Sequence, residues 1–281
     1  MNEALRSNLD RRHVRRLFEG CGAEGVESEL SRRVAEELLS RLDLVRLRPG
    51  SVIDAGCGSG RCARALAARY PDAAVVGLDV AVPLLAEAAR DDAGRIGYVA
   101  GHADFLPLAD RSVDMIVSSL ALPWCELIPF AVESHRILRP EGLLLFSTLG
   151  PDTLVELRDA WAGVDELPHV HALVEMHDIG DVLVQAGVAD PVMDVERVTV
   201  TYREMSALFA DLKTQGFTNA HAARRRSLTG RQRFAGFRRA LEAGRNADGL
   251  LTLTYEVVYG QAWAPVERQA GRVEVAVPGA S

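Results

Sequence analysis

The chain has 281 residues, of which 48% are hydrophobic and 25% are charged, a balance typical of a globular protein with a substantial core. No apolar run approaches the roughly 20 residues needed to cross a bilayer, and the N-terminus has no apolar signal core. The sequence therefore argues against a membrane or secreted protein and predicts a cytoplasmic location. The four cysteines form no C-x-x-C pair, which argues against a disulfide framework and a zinc site.

The net charge of −7 is unevenly distributed along the chain. Residues 203–245 contain ten Arg or Lys and three Asp or Glu, so this segment carries +7 and the remainder carries −14. A basic segment on an acidic protein indicates a localised anionic partner. Nucleic acid is disfavoured as that partner, because the rest of the surface would repel phosphates.

The predicted elements begin with two amphipathic helices, at residues 3–18 and 27–46, before Pro49 and Gly50 break the pattern. Strands and helices then alternate: strand 51–55, helix 60–70, strand 74–79, helix 82–91, strand 96–100, strand 113–119, helix 125–138 and strand 142–148. A helix at about 174–187 follows, and then strands at 191–202 and 250–262 on either side of a basic helical insertion.

This order of elements predicts an α/β fold with a doubly wound, mostly parallel sheet of seven strands. The last two strands could form an antiparallel edge. Since no internal repeat or low-complexity linker interrupts the chain, we interpret it as a single domain. Its predicted parts are N-terminal helices at 1–48, a core at 49–150, helices, the basic insertion 203–245 and edge strands within 151–265, and a tail at 266–281.

The most informative motif follows the first predicted strand, where Asp54 precedes Gly56, Gly58 and Gly60. Glycines at alternate positions, just before a helix, let a ligand come within contact distance of bare backbone. The next strand ends in Asp79, nineteen residues after Gly60. A carboxylate at that place accepts two hydrogen bonds from a ribose diol. The pair of motifs predicts a nucleoside site.

The spacing argues against a dinucleotide fingerprint, G-x-G-x-x-G, because Arg61 occupies the third glycine position. Asp54 would also lie badly against phosphates. The pattern Asp-x-Gly-x-Gly-x-Gly resembles the first motif of class I S-adenosylmethionine (SAM) methyltransferases, whose cofactor has no phosphate and carries a sulfonium, an ammonium and a ribose. The alternative interpretation is an ordinary glycine-rich turn between a strand and a helix.

Further motifs resemble one family, the malonyl-[acyl-carrier protein] O-methyltransferases of biotin synthesis. They are SSLALPWC at 118–125, FSTLGPDTL at 146–154, MHDIGD at 176–181, and YEVVYG at 255–260 with Trp263. The resemblance runs from about residue 50 to residue 265. It implies methyl transfer from SAM to the free carboxylate of a malonyl thioester on acyl carrier protein. The capped acid would then be elongated by fatty-acid synthesis toward a pimeloyl chain.

The resemblance implies a set of cofactor-binding residues at the carboxyl ends of the strands: Asp54, Gly56, Gly58, Gly60, Asp79, Ala103, Asp104 and Ser119. The sequence departs from the family at three places. His102 stands where an acid usually contacts the adenine amino group, and Asp104 is expected to compensate. Ser119 replaces an asparagine, and the N-terminal Tyr-Asp segment of the family would fall near Gly25.

Trp124 and His177 are candidate substrate contacts. The alternatives are core packing for Trp124 and, for His177 together with Asp178, capping of the following helix. A carboxylate substrate is ionised at neutral pH and needs no general base, so the sequence assigns no catalytic residue and the chemistry depends on orientation.

The run Arg224, Arg225 and Arg226 is a third candidate substrate site. Acyl carrier proteins are acidic and carry a phosphopantetheine phosphate, which guanidinium groups bind well. The alternative is a solvated helix or loop whose arginines are balanced by acids elsewhere in the fold. The expected partner is an acyl carrier protein, and the protein itself is expected to be a monomer.

Rival functions remain open at this point. His169, His171, His177 and Asp178 could suggest a metal site, although the resemblance implies none. A divergent paralogue would methylate another small molecule, such as a quinone. A non-methylating relative, the arginine hydroxylase that assists respiratory complex I assembly, shares the Ser-Ser-Leu motif and the pattern at 152–158. A catalytically inactive scaffold would be expected to lose the glycine turn, which is intact.

Overall fold

The computed structural model describes residues 9–92, 94–170 and 172–266, without the side chains of 23–26. Two helices open it, α1 (Arg11–Val26) and α2 (Glu29–Ser40), and a 3₁₀ turn, Arg41–Leu44, follows α2. Helix α1 begins later than the predicted 3–18 because Asp10 provides its cap: Oδ1 of Asp10 accepts a hydrogen bond from the His13 amide at 3.1 Å. Residues 3–8 of that prediction, His171 and most of the predicted tail lie outside the described residues.

In the part of the chain that the structure describes, seven strands form one sheet: β1 (Ser51–Ala55), β2 (Ala74–Asp79), β3 (Gly97–Ala100), β4 (Val113–Ser119), β5 (Leu138–Leu149), β6 (Ala189–Tyr202) and β7 (Leu251–Trp263). Their spatial order is β3-β2-β1-β4-β5-β7-β6. The first five pair in parallel, and β7 runs antiparallel to β5 and to β6. The predicted doubly wound, mostly parallel sheet with an antiparallel edge is therefore confirmed.

Among the described residues, seven further helices cover the sheet: α3 (Arg61–Arg69), α4 (Val82–Asp91), α5 (Leu127–Ile137), α6 (Val155–Ala162), α7 (Met176–Gln185), α8 (Met205–Thr214) and α9 (Arg231–Ala243). Strand β5 shows why its apolar run is continuous. Leu143 and Leu145 belong to a core shared with α2, α3, α6, α8 and α9. Leu144 and Phe146 belong to a second core with α5 and α7 on the opposite face.

The sheet has its switch point between β1 and β4. From β1 the chain moves outward through β2 and β3, and it then returns to place β4 on the other side of β1. The loops that leave these two strands diverge, and they open a crevice at the carboxyl ends of the strands. Within the described ranges, no helix has the length and apolar content needed to cross a bilayer.

Candidate active site

The glycine turn forms the floor of a cavity at this crevice. Gly56, Gly58 and Gly60 have φ values of 80°, 52° and 84°, the left-handed region that side chains disfavour. Gly56 and Gly58 line the cavity, and a Cβ on Gly56 would overlap the Ala121 side chain. Gly60 is not among the lining residues. A Cβ there would lie 2.5 Å from the Tyr98 hydroxyl, so Gly60 serves the packing of α3.

Asp79, at the end of β2, is held by two backbone amides. Its Oδ2 accepts a hydrogen bond from the Gly58 amide at 2.9 Å, and its Oδ1 accepts one from the Ala81 amide at 2.8 Å. Burial raises the pKa of Asp79, and these amide hydrogen bonds oppose the increase. The carboxylate lines the cavity with a fixed orientation, which suits the hydroxyl donors of a ribose.

Asp54 is a buried acid that has no conventional partner. It is 1% exposed, and neither carboxylate oxygen makes a hydrogen bond of normal geometry within the part of the chain that the structure describes. Burial raises the pKa of Asp54 to about 7, the nearby Ala63 amide opposes the shift, and the Asp79 charge adds to it. Since an unpaired buried carboxylate is costly, its place on the cavity wall fits a cationic ligand.

A second buried acid lies where the sequence predicted the adenine contact. Asp104 is 2% exposed, and its Oδ2 accepts hydrogen bonds from Arg11 Nη2 at 2.8 Å and from the Glu126 amide at 3.1 Å. Its Oδ1 is buried without a partner among the described residues. Asp104, Ala103 and His102 all line the cavity. The free oxygen is an acceptor suited to an exocyclic amino group.

Helix α1 covers the cavity and is tied down at both ends. Near its start, Arg11 also lies 2.9 Å from Oε1 of Glu126. After its end, Glu27 accepts a hydrogen bond from Ser59 Oγ at 2.6 Å and pairs with Arg61 at 2.6 Å. Glu27 and Arg11 line the cavity. Sequence reasoning missed both residues, because an Arg or Glu in or beside an amphipathic surface helix carries no motif.

The remaining wall of the cavity is aromatic. Trp124 packs edge-to-face on Phe18 with ring centroids 5.3 Å apart, and the Phe217 ring lies 6.1 Å away. Ser119 lines the cavity near them, with its Oγ 3.4 Å from Ser147 Oγ. Trp124, a predicted substrate contact, thus lies in the cavity wall and also packs against Phe18 and Phe217.

Gln215 and Phe217 enter the cavity from the segment after α8. Gly216, with a φ of 73°, ends the helix and packs against α1, because a Cβ there would lie 3.2 Å from Cys21 Sγ. The Oε1 atom of Gln215 is buried with no hydrogen-bond partner in the described chain. The glycine after a helix was the available signal for this turn, but it did not reveal that the flanking residues reach a ligand site.

The other predicted substrate contacts lie elsewhere. His177 is exposed in the first turn of α7 and is not among the lining residues. Arg224 pairs with Asp10 at 3.1 Å and Arg225 pairs with Asp165 at 3.1 Å, and their side chains are 14% and 20% exposed. Arg226 is 72% exposed. Two of the three arginines therefore serve internal ion pairs.

The candidate metal ligands do not come together in the described chain, where no three His, Cys, Asp or Glu side chains form a group that could hold a metal ion. His169 has a different environment. Its Nε2 lies 2.8 Å from Oδ1 of Asp165, and its ring stacks on Trp161 with centroids 3.6 Å apart. His169 is thus part of the packing of the segment after α6.

Comparison with known proteins first gives the class. A family model described as a methyltransferase domain matches residues 53–146. The fold is similar to the YcgJ protein of Bacillus subtilis, with a TM-score of 0.60 and 17% identity over 82% of this chain and 98% of that one. It is also similar to a putative methyltransferase of Bacillus halodurans C-125, with a TM-score of 0.59 and 17% identity over 82% and 100%. Sheet, glycine turn and family model define a class I SAM-dependent methyltransferase.

Relatives of nearly the same length then give the family. The chain is 46% identical to the malonyl-[acyl-carrier protein] O-methyltransferase of Laribacter hongkongensis, over 94% of this chain and 93% of the relative. It is 43% identical to the protein of the same name from Gallionella capsiferriformans, over 95% and 94%. The chain belongs to the malonyl-[acyl-carrier protein] O-methyltransferase family, which confirms the resemblance seen in the motifs, and SAM is its cofactor.

Proposed function

We propose that this protein methylates the free carboxylate of malonyl-acyl carrier protein, giving the methyl ester that primes pimeloyl synthesis for biotin. The observation that carries the proposal is the similarity over nearly the full length of relatives that bear this name. In this proposal the protein acts as a cytoplasmic monomer, and its partner is an acyl carrier protein.

The residues of the cavity fit the cofactor. Asp54 offers an unpartnered buried carboxylate to the ammonium group, Asp79 offers a fixed carboxylate to the ribose, and Oδ1 of Asp104 offers an acceptor to the adenine amino group. Asp104 thereby offers the acceptor that the usual acid at position 102 would provide in the family, where this chain has His102. Gly56 and Gly58 leave room for the ligand beside the backbone.

The chemistry asks little of the protein beyond positioning. When bound, SAM supplies an electrophilic methyl group on a sulfonium. The acceptor carboxylate is ionised at neutral pH, so the protein needs no general base and contributes mainly by orientation and by exclusion of water. Trp124, Phe18 and Phe217 provide an apolar wall for the acyl chain, and helix α1 covers the site.

Incubation with SAM and malonyl-carrier protein, followed by intact mass measurement, tests the proposal. The expected result is the gain of one methyl group on the carrier. Acetyl-carrier protein is the matched control, because it has the same thioester without a free carboxylate. Equal methylation of both carriers, or no methylation of the malonyl form, would contradict the proposed function.

A further inference from the structure

Two arginine-rich runs of the sequence meet at the first turn of α1. Arg224 Nη2 lies 3.1 Å from Oδ2 of Asp10, a residue 214 positions earlier in the chain. Asp10 also caps α1 through the His13 amide, and Arg226 lies 3.8 Å from the same Asp10 oxygen. The run at 224–226 is thereby joined to the run at 11–16.

Part of each run is neutralised within the protein. The internal pairs are Arg11 with Asp104 and Glu126, Arg15 with Glu19, Arg224 with Asp10, and Arg225 with Asp165. Arg224 joins the second run to the start of α1, Arg11 joins α1 to the cavity wall, Arg225 pairs with the segment after α6, and Arg15 pairs within α1. The paired arginines therefore form ion pairs within the protein.

The remaining arginines face solvent. Arg12 and Arg16 are exposed, and neither forms an ion pair with a described residue. Arg226 is 72% exposed, and the acid that pairs with it among the described residues, Asp10, lies 3.8 Å away. His13 lies among these groups: burial lowers its pKa, the charges of Arg224 and Arg16 lower it further, and Asp10 opposes them. Arg12 and Arg16 lie one turn apart on α1, where Arg16 Nε donates to the Arg12 carbonyl at 3.2 Å, and Arg226 reaches the start of the same helix through Asp10.

We infer that Arg12, Arg16 and Arg226, called here the α1 arginine surface, dock the acidic face of the carrier protein. This inference rests on the proposed function. Leu9 and Arg11, on either side of Asp10, line the cavity, so a carrier held on this surface has its phosphopantetheine arm next to the site. Elsewhere a protein of net charge −7 repels an acidic partner, and a local excess of exposed guanidinium groups directs it to this place.

Helix α9 carries a second exposed set of arginines, Arg231, Arg233, Arg238 and Arg239. The helix packs on α6 through Phe237 and Trp161, whose ring centroids lie 4.2 Å apart. No residue of α9 is among those that line the cavity. The α1 arginine surface is favoured over α9 because it adjoins the lining residues directly.

The test compares two double charge reversals that change the net charge equally. Arg16→Glu/Arg226→Glu alters the α1 arginine surface. Arg46→Glu/Arg48→Glu alters exposed residues that precede the amino end of β1, whereas the cavity lies at the carboxyl ends of the strands. Each variant is assayed with malonyl-carrier protein and with malonyl-pantetheine, which has the same thioester and no protein. Binding of labelled carrier protein, followed by fluorescence anisotropy, measures docking without turnover.

The expected result is that Arg16→Glu/Arg226→Glu raises KM and Kd for the carrier by about tenfold or more, since reversed rim charges repel the partner. The same variant leaves kcat/KM for malonyl-pantetheine within about twofold of wild type. The control Arg46→Glu/Arg48→Glu leaves kcat/KM within about twofold of wild type for both substrates. Unchanged carrier binding in the first variant, an equal loss in the second, or no carrier binding by wild type overturns the docking surface. Wild type that methylates neither thioester refutes the proposed function instead, whatever the anisotropy shows.

Discussion

Arg11 Nη2 lies 2.8 Å from Oδ2 of Asp104, which joins the first helix to a buried acid in the wall of the cavity. The Arg11 side chain is 37% exposed and the Asp104 side chain is 3% exposed. The arginine therefore reaches the pair from the solvent side, and the carboxylate lies on the buried side. The opposite oxygen of Asp104 has no partner among the described residues. One carboxylate therefore both anchors α1 and presents a free oxygen to the cavity, where we propose that it binds the cofactor.

The first prediction follows from this sharing. Arg11→Met removes the hydrogen bond that orients the Asp104 carboxylate. We expect SAM binding to weaken by about tenfold, because a hydrogen bond to a charged group contributes about 1.5–3 kcal/mol and this one is partly screened by solvent. Isothermal titration calorimetry measures the change. Arg15→Met is the control, because Arg15 pairs with Glu19 on the same helix and is 54% exposed. Equal losses in both variants would contradict the special role of Arg11.

The second prediction concerns pH. With a pKa of about 7, Asp54 is mostly neutral at pH 6 and mostly ionised at pH 7.5. We expect SAM affinity to rise by about fivefold to tenfold between these values, because the cationic ligand binds the ionised form. Asp54→Asn should bind weakly at both values. A wild-type affinity that stays flat across this range would rule out Asp54 as the partner of the cation.

The same shift has an opposite consequence for the ligand-free protein. The pKa of Asp54 is higher in the folded chain than its ordinary value of 3.8, so the folded state holds its proton more tightly. The contribution of Asp54 to the free energy of unfolding therefore falls as the pH rises from 3.8 to about 7. Chemical denaturation without SAM, with Asp54→Asn as the pH-insensitive reference, measures this trend.

The third prediction separates two glycines that have similar backbone angles. Gly60 and Gly94 have φ values of 84° and 80°. A Cβ on Gly60 would meet Tyr98 and Ala88, while a Cβ on Gly94 has nothing within 4 Å. Urea denaturation should show a loss of about 2–4 kcal/mol for Gly60→Ala and about 1–2 kcal/mol for Gly94→Ala. Similar losses would mean that the Tyr98 contact relaxes at little cost.

The fourth prediction concerns Gln215, whose buried Oε1 has no partner in the described chain. Gln215→Met removes an unsatisfied polar group and is expected to raise the free energy of unfolding by about 1 kcal/mol. If the Nε2 group of Gln215 donates a hydrogen bond to the acceptor carboxylate, the same variant raises KM for the malonyl substrate by about tenfold and leaves SAM affinity unchanged. Gln232→Met on the exposed face of α9 is the control. A stabilised variant with normal KM would assign Gln215 a structural place only.

The alternation of strands and helices could be predicted from the sequence, because hydrophobic periodicity and the positions of glycines at turns are local properties of the chain. The same is true of the turn from Asp54 to Gly60, whose spacing has a steric meaning. Helix limits were less predictable. Helix α1 begins at Arg11 because Asp10 caps it, and a capping acid inside a charged run does not stand out from its neighbours.

The cavity itself could be predicted only in part. Asp54 and Asp79 were identified because each lies at the end of a recognisable strand, and Asp104 was identified from the family resemblance, as the acid expected to compensate for His102. Arg11, Glu27 and Gln215 were not, since their positions at the cavity depend on how α1 and the segment after α8 fold over the sheet. The opposite error occurred for Arg224 and Arg225, which looked available in the sequence and are paired with Asp10 and Asp165.

The order of residues alone was enough to predict the parallel sheet, the glycine turn and the kind of cofactor. The alternation of strands and helices and the spacing of the glycines are local patterns of the chain, and the glycine motif resembles that of a known family. The three-dimensional packing decided which charges are neutralised and which face solvent. An ion pair such as Arg224 with Asp10 joins residues 214 positions apart. Local spacing does not predict such a pair, because the pair forms only when the start of α1 packs against the segment after α8, where the Asp10 amide donates to the Ala220 carbonyl at 2.9 Å.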